Sequence, residues 1–318
     1  MSMKAQLLTA TLFTTFSGVL SAADPMLLNL VMPDAKVVAG VNVQQAKGTQ
    51  FGQYILSQMQ TTDAHMQELV ALTGFDPRRD VIELLVASNA APAANHEPNK
   101  VGLALARGTF DVAMITAAAT QHGAVTELYN NNVTIIEDPK QEGGIAFLSP
   151  TIVVAGDIAS VKGAIDRQTM AQPLPSDVLV KISKWSTSQD AWGVSTVPPM
   201  SMAGPPKTGQ TNPMAGAVQA VQSAGGGVKF GTNVVFSGEA NCDTPQNAKT
   251  LSDLMQLMLN MAQMQAGSDP NAAALIKGTT ITASGNLINA SASLPEDVFT
   301  QMLAPKNATE RNRVQRRK

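Results

Sequence analysis

The sequence has few of the side chains that carry enzyme or metal chemistry. Its 318 residues include one cysteine, three histidines, two tryptophans and two tyrosines. The histidines, at positions 65, 96 and 122, lie too far apart for paired metal ligands, so the sequence predicts no zinc or iron site. Cys242 stands alone, which excludes a disulfide within the chain and leaves the core to stabilise the fold. We expect Cys242 to be a small buried residue at a strand end; pairing between chains is the alternative.

Familiar catalytic motifs are missing as well. The chain has no Gly-x-Ser-x-Gly elbow and no Ser-x-x-Lys pair, which are the commonest signatures of a serine nucleophile. The three glycines at 225–227 lack the Gly-Lys-Ser/Thr of a phosphate loop, and we expect them to form a loop before a strand. The sequence thus predicts no catalytic residue and no cofactor. An enzyme whose site is assembled from scattered carboxylates stays open as an alternative.

The first 23 residues are typical of a secretory signal peptide. A single positive charge precedes an apolar run over residues 5–20, and three small residues come before Asp24. We expect cleavage near Ala22 or Ala23 and release of a soluble protein into the periplasm or the extracellular space. No cysteine lies near the cut, which disfavours a lipoprotein. A retained membrane anchor is the alternative, because a run of about 20 apolar residues can span a bilayer.

Charge is scarce and unevenly placed. The formal net charge is −2, yet five basic side chains stand among the last eight residues, so the rest of the chain is acidic. We expect the tail, residues 305–318, to be disordered and solvated. A basic tail of this kind can contact anionic surfaces. The chain shows no pattern that predicts specific nucleic-acid binding.

The spacing of apolar residues predicts an α+β fold with mainly antiparallel sheets and helices packed on one face. The predicted order strand, helix, hairpin, helix, hairpin, helix occurs twice, in halves 24–172 and 173–304. A Pro/Gly-rich loop at 197–213 interrupts the second half, and a helix is expected at 214–223. The repeated order suggests an internal duplication. One extended sheet without a true repeat is the alternative.

The densest charged cluster outside the tail surrounds Arg78 and Arg79. These arginines are a possible contact for an anion. Asp76 and Asp80 flank them, so we favour a corner between helix and strand that is pinned by ion pairs. Asp76 before Pro77 is typical of the start of a short helical turn.

Four methionines recur at intervals of three on a predicted helix at 246–265. They are Met255, Met258, Met261 and Met264. A spacing of three drifts by about 60° per step around a helix, so they do not form one straight stripe. We expect them to pack in the core, where methionine is a common filler. A subunit interface is the second interpretation, and Cu(I) binding by the thioethers is a weaker one.

Short motifs in the first half follow one another in a distinctive order. They are Met32-Pro33-Asp34-Ala35, Gly52-Gln53-Tyr54-Ile55-Leu56, Gly74-Phe75-Asp76-Pro77-Arg78-Arg79-Asp80, Leu84-Leu85-Val86-Ala87-Ser88, Ala106-Arg107-Gly108-Thr109-Phe110-Asp111 and Val154-Ala155-Gly156-Asp157. In these motifs the chain resembles an uncharacterised group of bacterial exported proteins, over roughly residues 32–191. The resemblance implies an exported α+β protein and carries no activity. The leading hypothesis is therefore a non-catalytic exported protein with a binding or envelope-assembly role, whose partners, self-association included, are unknown.

Overall fold

The computed structural model describes residues 22–60, 64–89, 102–130, 132–138, 143–197, 218–266 and 270–303. The predictions for residues 1–21, for most of the Pro/Gly-rich loop and for the basic tail lie outside the described residues. Within those ranges, the predicted signal peptide is represented only by its last two positions, Ala22 and Ala23.

One antiparallel sheet of twelve strands organises the described residues. The strands are β1 (Val37–Asn42), β2 (Val81–Ser88), β3 (Leu103–Gly108), β4 (Val125–Tyr129), β5 (Val133–Asp138), β6 (Gly143–Ser149), β7 (Ile152–Asp157), β8 (Ala191–Ser195), β9 (Val221–Lys229), β10 (Asn233–Cys242), β11 (Thr279–Ser284) and β12 (Leu287–Pro295). Every pair of neighbouring strands is antiparallel. The predicted α+β class with antiparallel strands is confirmed.

The strand order is alike in the two parts of the chain. The sheet runs β11-β12-β10-β9-β8-β1-β2-β3-β7-β6-β5-β4. Read outward from its centre, the first part gives β1-β2-β3-β7-β6 and the second gives β8-β9-β10-β12-β11, while the β4–β5 hairpin extends the first part alone. At the centre Ala39 lies opposite Gly193. The order is compatible with an internal duplication, which stays a prediction.

Helices contact both faces of the sheet, and not one face as the sequence predicted. They are α1 (Pro25–Leu28), α2 (Val43–Ala46), α3 (Gln50–Gln60), α4 (Ala64–Thr73), α5 (Pro77–Asp80), α6 (Val112–Gln121), α7 (Ile158–Arg167), α8 (Ser176–Ser188), α9 (Pro245–Gln265), α10 (Pro270–Lys277) and α11 (Glu296–Leu303). Leu85 packs in the main core with α7 and α8. Its neighbour Leu84 faces α3 instead, because successive strand residues point to opposite faces. Because consecutive residues of β2 are apolar, both faces of the sheet carry side chains that can be buried against helices.

Both tryptophans pack on glycines of the central strands. Trp192 lies over Gly40 of β1, and Trp185 of α8 lies over Gly225 of β9. A Cβ atom on Gly225 would stand 2.3 Å from the indole nitrogen of Trp185. The glycines at 225–227 are strand residues of β9, where Gly225 leaves room for Trp185, and the predicted loop is wrong. Of the predicted helix at 214–223, the structure describes residues 218–223: residues 218 and 219 are helical, and the prediction is wrong for 221–223, where β9 begins at Val221.

The predicted position of Cys242 is confirmed. Cys242 ends β10 as a buried free thiol, and burial raises its pKa. Asp157 begins α7, and its Oδ1 accepts a hydrogen bond from the Ser160 N–H at 2.9 Å. A carboxylate at this position satisfies a donor that the helix leaves unpaired.

A buried carboxylate joins the two halves at the start of β8 and the ends of β1 and β9. Asp190 is 1% exposed, and its Oδ1 lies 2.7 Å from the Lys229 Nζ. Its Oδ2 accepts a hydrogen bond from the Phe230 N–H at 2.7 Å. The Asp190 carbonyl accepts another from the Asn42 N–H of β1 at 2.8 Å. One residue therefore fixes the ends of β1, β8 and β9 together.

We expect Asp190→Ala to lower the free energy of unfolding by about 3–5 kcal/mol, because it leaves a cation and a buried N–H without their partner. Urea-induced unfolding, followed by tryptophan fluorescence, measures the change. The control is Asp253→Ala, which removes an exposed i,i+4 pair with Lys249 and should cost less than about 0.5 kcal/mol. Equal losses for the two variants would contradict a structural role of Asp190.

Candidate functional site

An apolar pocket of about 300 Å³ opens on the face of the sheet opposite the main core. Its floor comes from the central strands, and its walls come from α2, α3, α5 and the residue after β9. The lining residues are Val41, Val43, Ala46, Lys47, Phe51, Gly52, Ile55, Leu56, Pro77, Arg78, Val81, Leu84, Ala191 and Phe230. No carboxylate is among them, and almost all of the exposed wall is carbon.

Helix α3 forms the largest wall, and both halves of the chain hold it in place. The Phe51 N–H, in its first turn, donates a hydrogen bond to Glu296 Oε1 of α11 at 2.5 Å. A carboxylate is stabilising there because the helix end presents unpaired N–H groups. The Phe51 ring stacks on Phe230 at 4.7 Å and contacts Phe299 at 5.0 Å. The pocket is therefore shaped jointly by the two halves.

Close packing between α2 and α3 narrows one side of the pocket. A Cβ atom on Gly52 would lie 1.9 Å from the Ala46 carbonyl oxygen, so only glycine fits there. The hydroxyl of Thr49 accepts a hydrogen bond from the Gly52 N–H at 3.0 Å. These contacts join the two helices tightly at a turn.

Two cationic side chains reach the pocket, and both already have partners. Lys47 Nζ donates hydrogen bonds to the carbonyls of Val81 at 2.8 Å and Arg79 at 3.4 Å, and burial lowers its pKa. Arg78 makes a two-pronged contact with Asp76, through Nε to Oδ1 at 2.8 Å and Nη2 to Oδ2 at 2.6 Å. These hydrogen bonds lower the pKa of Asp76.

Arg79, the second residue suggested as an anion contact, is paired in the same way. Its Nε lies 2.6 Å from Asp80 Oδ1, and its Nη2 donates to the Gly74 carbonyl at 2.8 Å. The hydrogen bonds from Arg79 lower the pKa of Asp80. The corner of α5 is thus pinned by two ion pairs, and neither arginine presents an uncompensated charge to a ligand.

The four methionines of α9 differ in burial along the helix. Met255 is partly buried and packs on the smaller core around Val221 and Cys242. Met258, Met261 and Met264 are exposed. The prediction of a core position is confirmed for Met255 and wrong for the other three, because the end of α9 extends past the strands that cover its beginning. In the described ranges, no group of three His, Cys, Asp or Glu side chains could hold a metal ion.

A pair of carboxylates lies on the neighbouring strands β4 and β5. Lys162 donates a hydrogen bond to Glu127 Oε1 at 2.9 Å, and this contact lowers the pKa of Glu127. The pKa of Glu137 is raised mainly by burial and to a smaller degree by a hydrogen bond with Glu127. Acid–base chemistry uses carboxyl groups whose pKa values are split in this way. These residues do not line the apolar pocket.

Among the helices that the structure describes, none is both long enough and apolar enough to cross a membrane. No model of a known protein family matches the sequence, and no curated protein matches it.

Three crystal forms of a protein named TP0453 are similar in fold. Form III has a TM-score of 0.54 at 11% identity, covering 86% of this chain and 96% of that one. Form I gives 0.51 at 10% identity, with 87% and 95% covered. Form IV gives 0.51 at 11% identity, with 91% and 100% covered. At such identities the likeness shows a shared fold and nothing more.

Proposed function

We propose that this chain is an exported, non-catalytic protein that binds a small uncharged apolar molecule in the pocket between α3 and the sheet. The apolar pocket is the observation that carries the proposal. Its volume, about 300 Å³, lies at the lower end of the range of ligand sites. At roughly 30 Å³ for each water-sized group, it accommodates about ten non-hydrogen atoms.

The state of the nearby charges favours an uncharged ligand. Burying an ionised group is costly unless it gains a partner. Lys47 and Arg78 are the cations that line the pocket, and their donors are engaged by backbone carbonyls and by Asp76. An anionic ligand would have to displace these contacts, whereas an apolar one only displaces water.

Export to the periplasm or the extracellular space rests on the sequence of residues 1–23. An envelope-assembly role and an internal duplication belong to the same proposal, the latter supported by the repeated strand order. An enzyme has less support, since the pocket has no carboxylate in its lining. If the protein were an enzyme, the Glu127–Glu137 pair would be its candidate acid–base site. Cu(I) binding by the methionines of α9 has no further supporting contact in the described residues.

A larger side chain inside the pocket should weaken ligand binding. Leu84 on its floor is 40% exposed, and Val86, on the same face of β2 but outside the pocket, is 50% exposed. We expect Leu84→Trp to weaken binding of the neutral fluorescent probe 1-naphthylamine, whose size matches the roughly ten non-hydrogen atoms that the cavity holds, at least about ten-fold, because the indole occupies the cavity. Val86→Trp, which adds the same side chain nearby, should leave the fluorescence titration unchanged. Equal effects, or none, would contradict the pocket as the site.

A neutral ligand with a hydrocarbon chain should bind better than an anionic ligand of the same length. We expect 1-decanol to displace the probe with a Kd between about 1 µM and 1 mM, the range that about ten buried carbon atoms allow after the costs of association. Decanoate should compete at least about ten-fold more weakly at pH 8. Stronger competition by decanoate would show that Lys47 or Arg78 is available to an anion, and would overturn the preference for uncharged ligands.

Export is tested by fusing residues 1–30 to alkaline phosphatase that lacks its own signal, a reporter that is active only outside the cytoplasm. We expect activity in a bacterial host, because a charged start, an apolar run and small residues suffice for secretion. A matched fusion with two arginines inserted into the apolar run should be inactive. An inactive native fusion would contradict export while leaving the pocket unaffected.

A further inference from the structure

Three charged side chains meet on the core-facing side of β2. Glu83 has a side chain that is 7% exposed, and its Oε1 accepts a hydrogen bond from the backbone N–H of Asp24 at 3.0 Å. Arg107 of β3 lies between the two carboxylates, with Nη2 3.4 Å from Glu83 Oε2 and Nε 2.8 Å from Asp24 Oδ2. The residue just after the predicted signal peptide is therefore bound to a buried acid.

The cluster of Asp24, Glu83 and Arg107 has an excess of one negative charge. Two carboxylates share a single guanidinium, and no other charged partner of Glu83 occurs among its described contacts. Burial, and to a smaller degree the carboxylate of Asp24, raises the pKa of Glu83. A buried acid in this state is destabilising unless it takes up a proton or a further positive charge reaches it.

The sequence before Asp24 fits a cut at that residue. Peptidases that remove signals read small residues one and three positions before the cut. Cleavage after Ala23 places Ala23 and Ser21 there, whereas cleavage after Ala22 would place Leu20 at the outer position. Asp24 caps the start of α1, with its Oδ1 2.8 Å from the Met26 N–H, and Leu27 is fully buried. Ala23 is 5% exposed and belongs to the main core, so this cut also removes one buried methyl group.

We propose that cleavage occurs between Ala23 and Asp24 and that the new α-ammonium of Asp24 forms a buried ion pair with Glu83. Water adds across the peptide bond: the carbonyl carbon of Ala23 takes the oxygen and becomes a carboxylate, and the Asp24 nitrogen takes both protons and becomes an ammonium. That nitrogen already lies 3.0 Å from Glu83 Oε1, so the positive charge forms beside the carboxylate. The cluster then holds two positive and two negative charges. The inference rests on export, and it adds that processing stabilises the fold.

The site of cleavage is tested on the full-length chain secreted by a bacterial host. Intact mass and N-terminal sequencing of the secreted protein should give Asp24 as the first residue. A secreted protein that begins elsewhere overturns the cleavage site and leaves export intact. A chain that stays in the cytoplasm with residues 1–23 attached contradicts export itself, and this inference fails with it.

A double-mutant cycle tests the ion pair: one change is made at the N-terminus and the other at Glu83. One chain begins at Asp24 and the other at Ser21, so that the second keeps the Asp24 N–H as a peptide donor without its charge. The chain from Ser21 also keeps the buried Ala23, and that contribution is the same with Glu or Gln at 83. We therefore expect the melting temperature of the chain from Asp24, relative to the chain from Ser21, to be at least about 3 °C higher with Glu83 than after Glu83→Gln. Glu239→Gln, at a carboxylate that is 14% exposed and paired with Lys184, should leave the difference between the two chains unchanged.

A second measurement keeps Glu83 in place, in case Glu83→Gln does not fold. An α-amine held as an ammonium should react with an acylating reagent at least about ten-fold more slowly in the chain from Asp24 than in the chain from Ser21, since one unit of pKa changes the free amine ten-fold. Equal reactivity, or an equal melting difference with Gln at 83, overturns the ion pair. Slower reaction at Asp24 supports it.

Discussion

The pairing of β1 with β8 is the contact on which the rest of the structure depends. It joins two sets of strands into one sheet, with Ala39 opposite Gly193 at the centre. Gly40 lies opposite Trp192 and leaves room for its indole. Asp190 then holds the strand ends through Lys229 and the N–H of Phe230. A chain with few aromatics and little charge thus places both kinds of group where the two halves meet.

The pocket follows from that central pairing. Val41 and Ala191 are opposite one another in β1 and β8, and Leu84 is opposite Val41 in β2. These three side chains form an apolar floor that spans the junction. Helix α3 stands above it because the second half supplies Glu296 to its first turn and Phe230 and Phe299 to Phe51. Neither half alone would form this cavity, so the proposed ligand binding depends on the association of the halves.

The sequence predicts the fold better than it predicts the site, for physical reasons. Alternation and turn residues identify hairpins such as β11–β12, and the helix start at Asp157 follows from local chemistry alone. The glycines at 225–227 misled the prediction because they lie in β9 through pairing with β8 and β10 and, at Gly225, packing on Trp185, and these partners lie away from them in sequence. The pocket was missed because its members are ordinary apolar residues from several segments. Of the residues suggested for a site, Arg78 lines the pocket, and there it is neutralised by Asp76.

Strand β2 links the proposed N-terminal ion pair to the pocket. Glu83 and Leu84 are consecutive, so their side chains point to opposite faces of the sheet. One accepts the N–H of Asp24, and the other forms part of the floor beneath α3. In the unprocessed chain, Glu83 is a buried acid with an excess negative charge next to the floor. In the proposed processed chain, the charge is balanced and that part of β2 is held from the core side. The proposed cleavage would therefore stabilise the strand that shapes the pocket, so that the proposed binding site would be most stable after export.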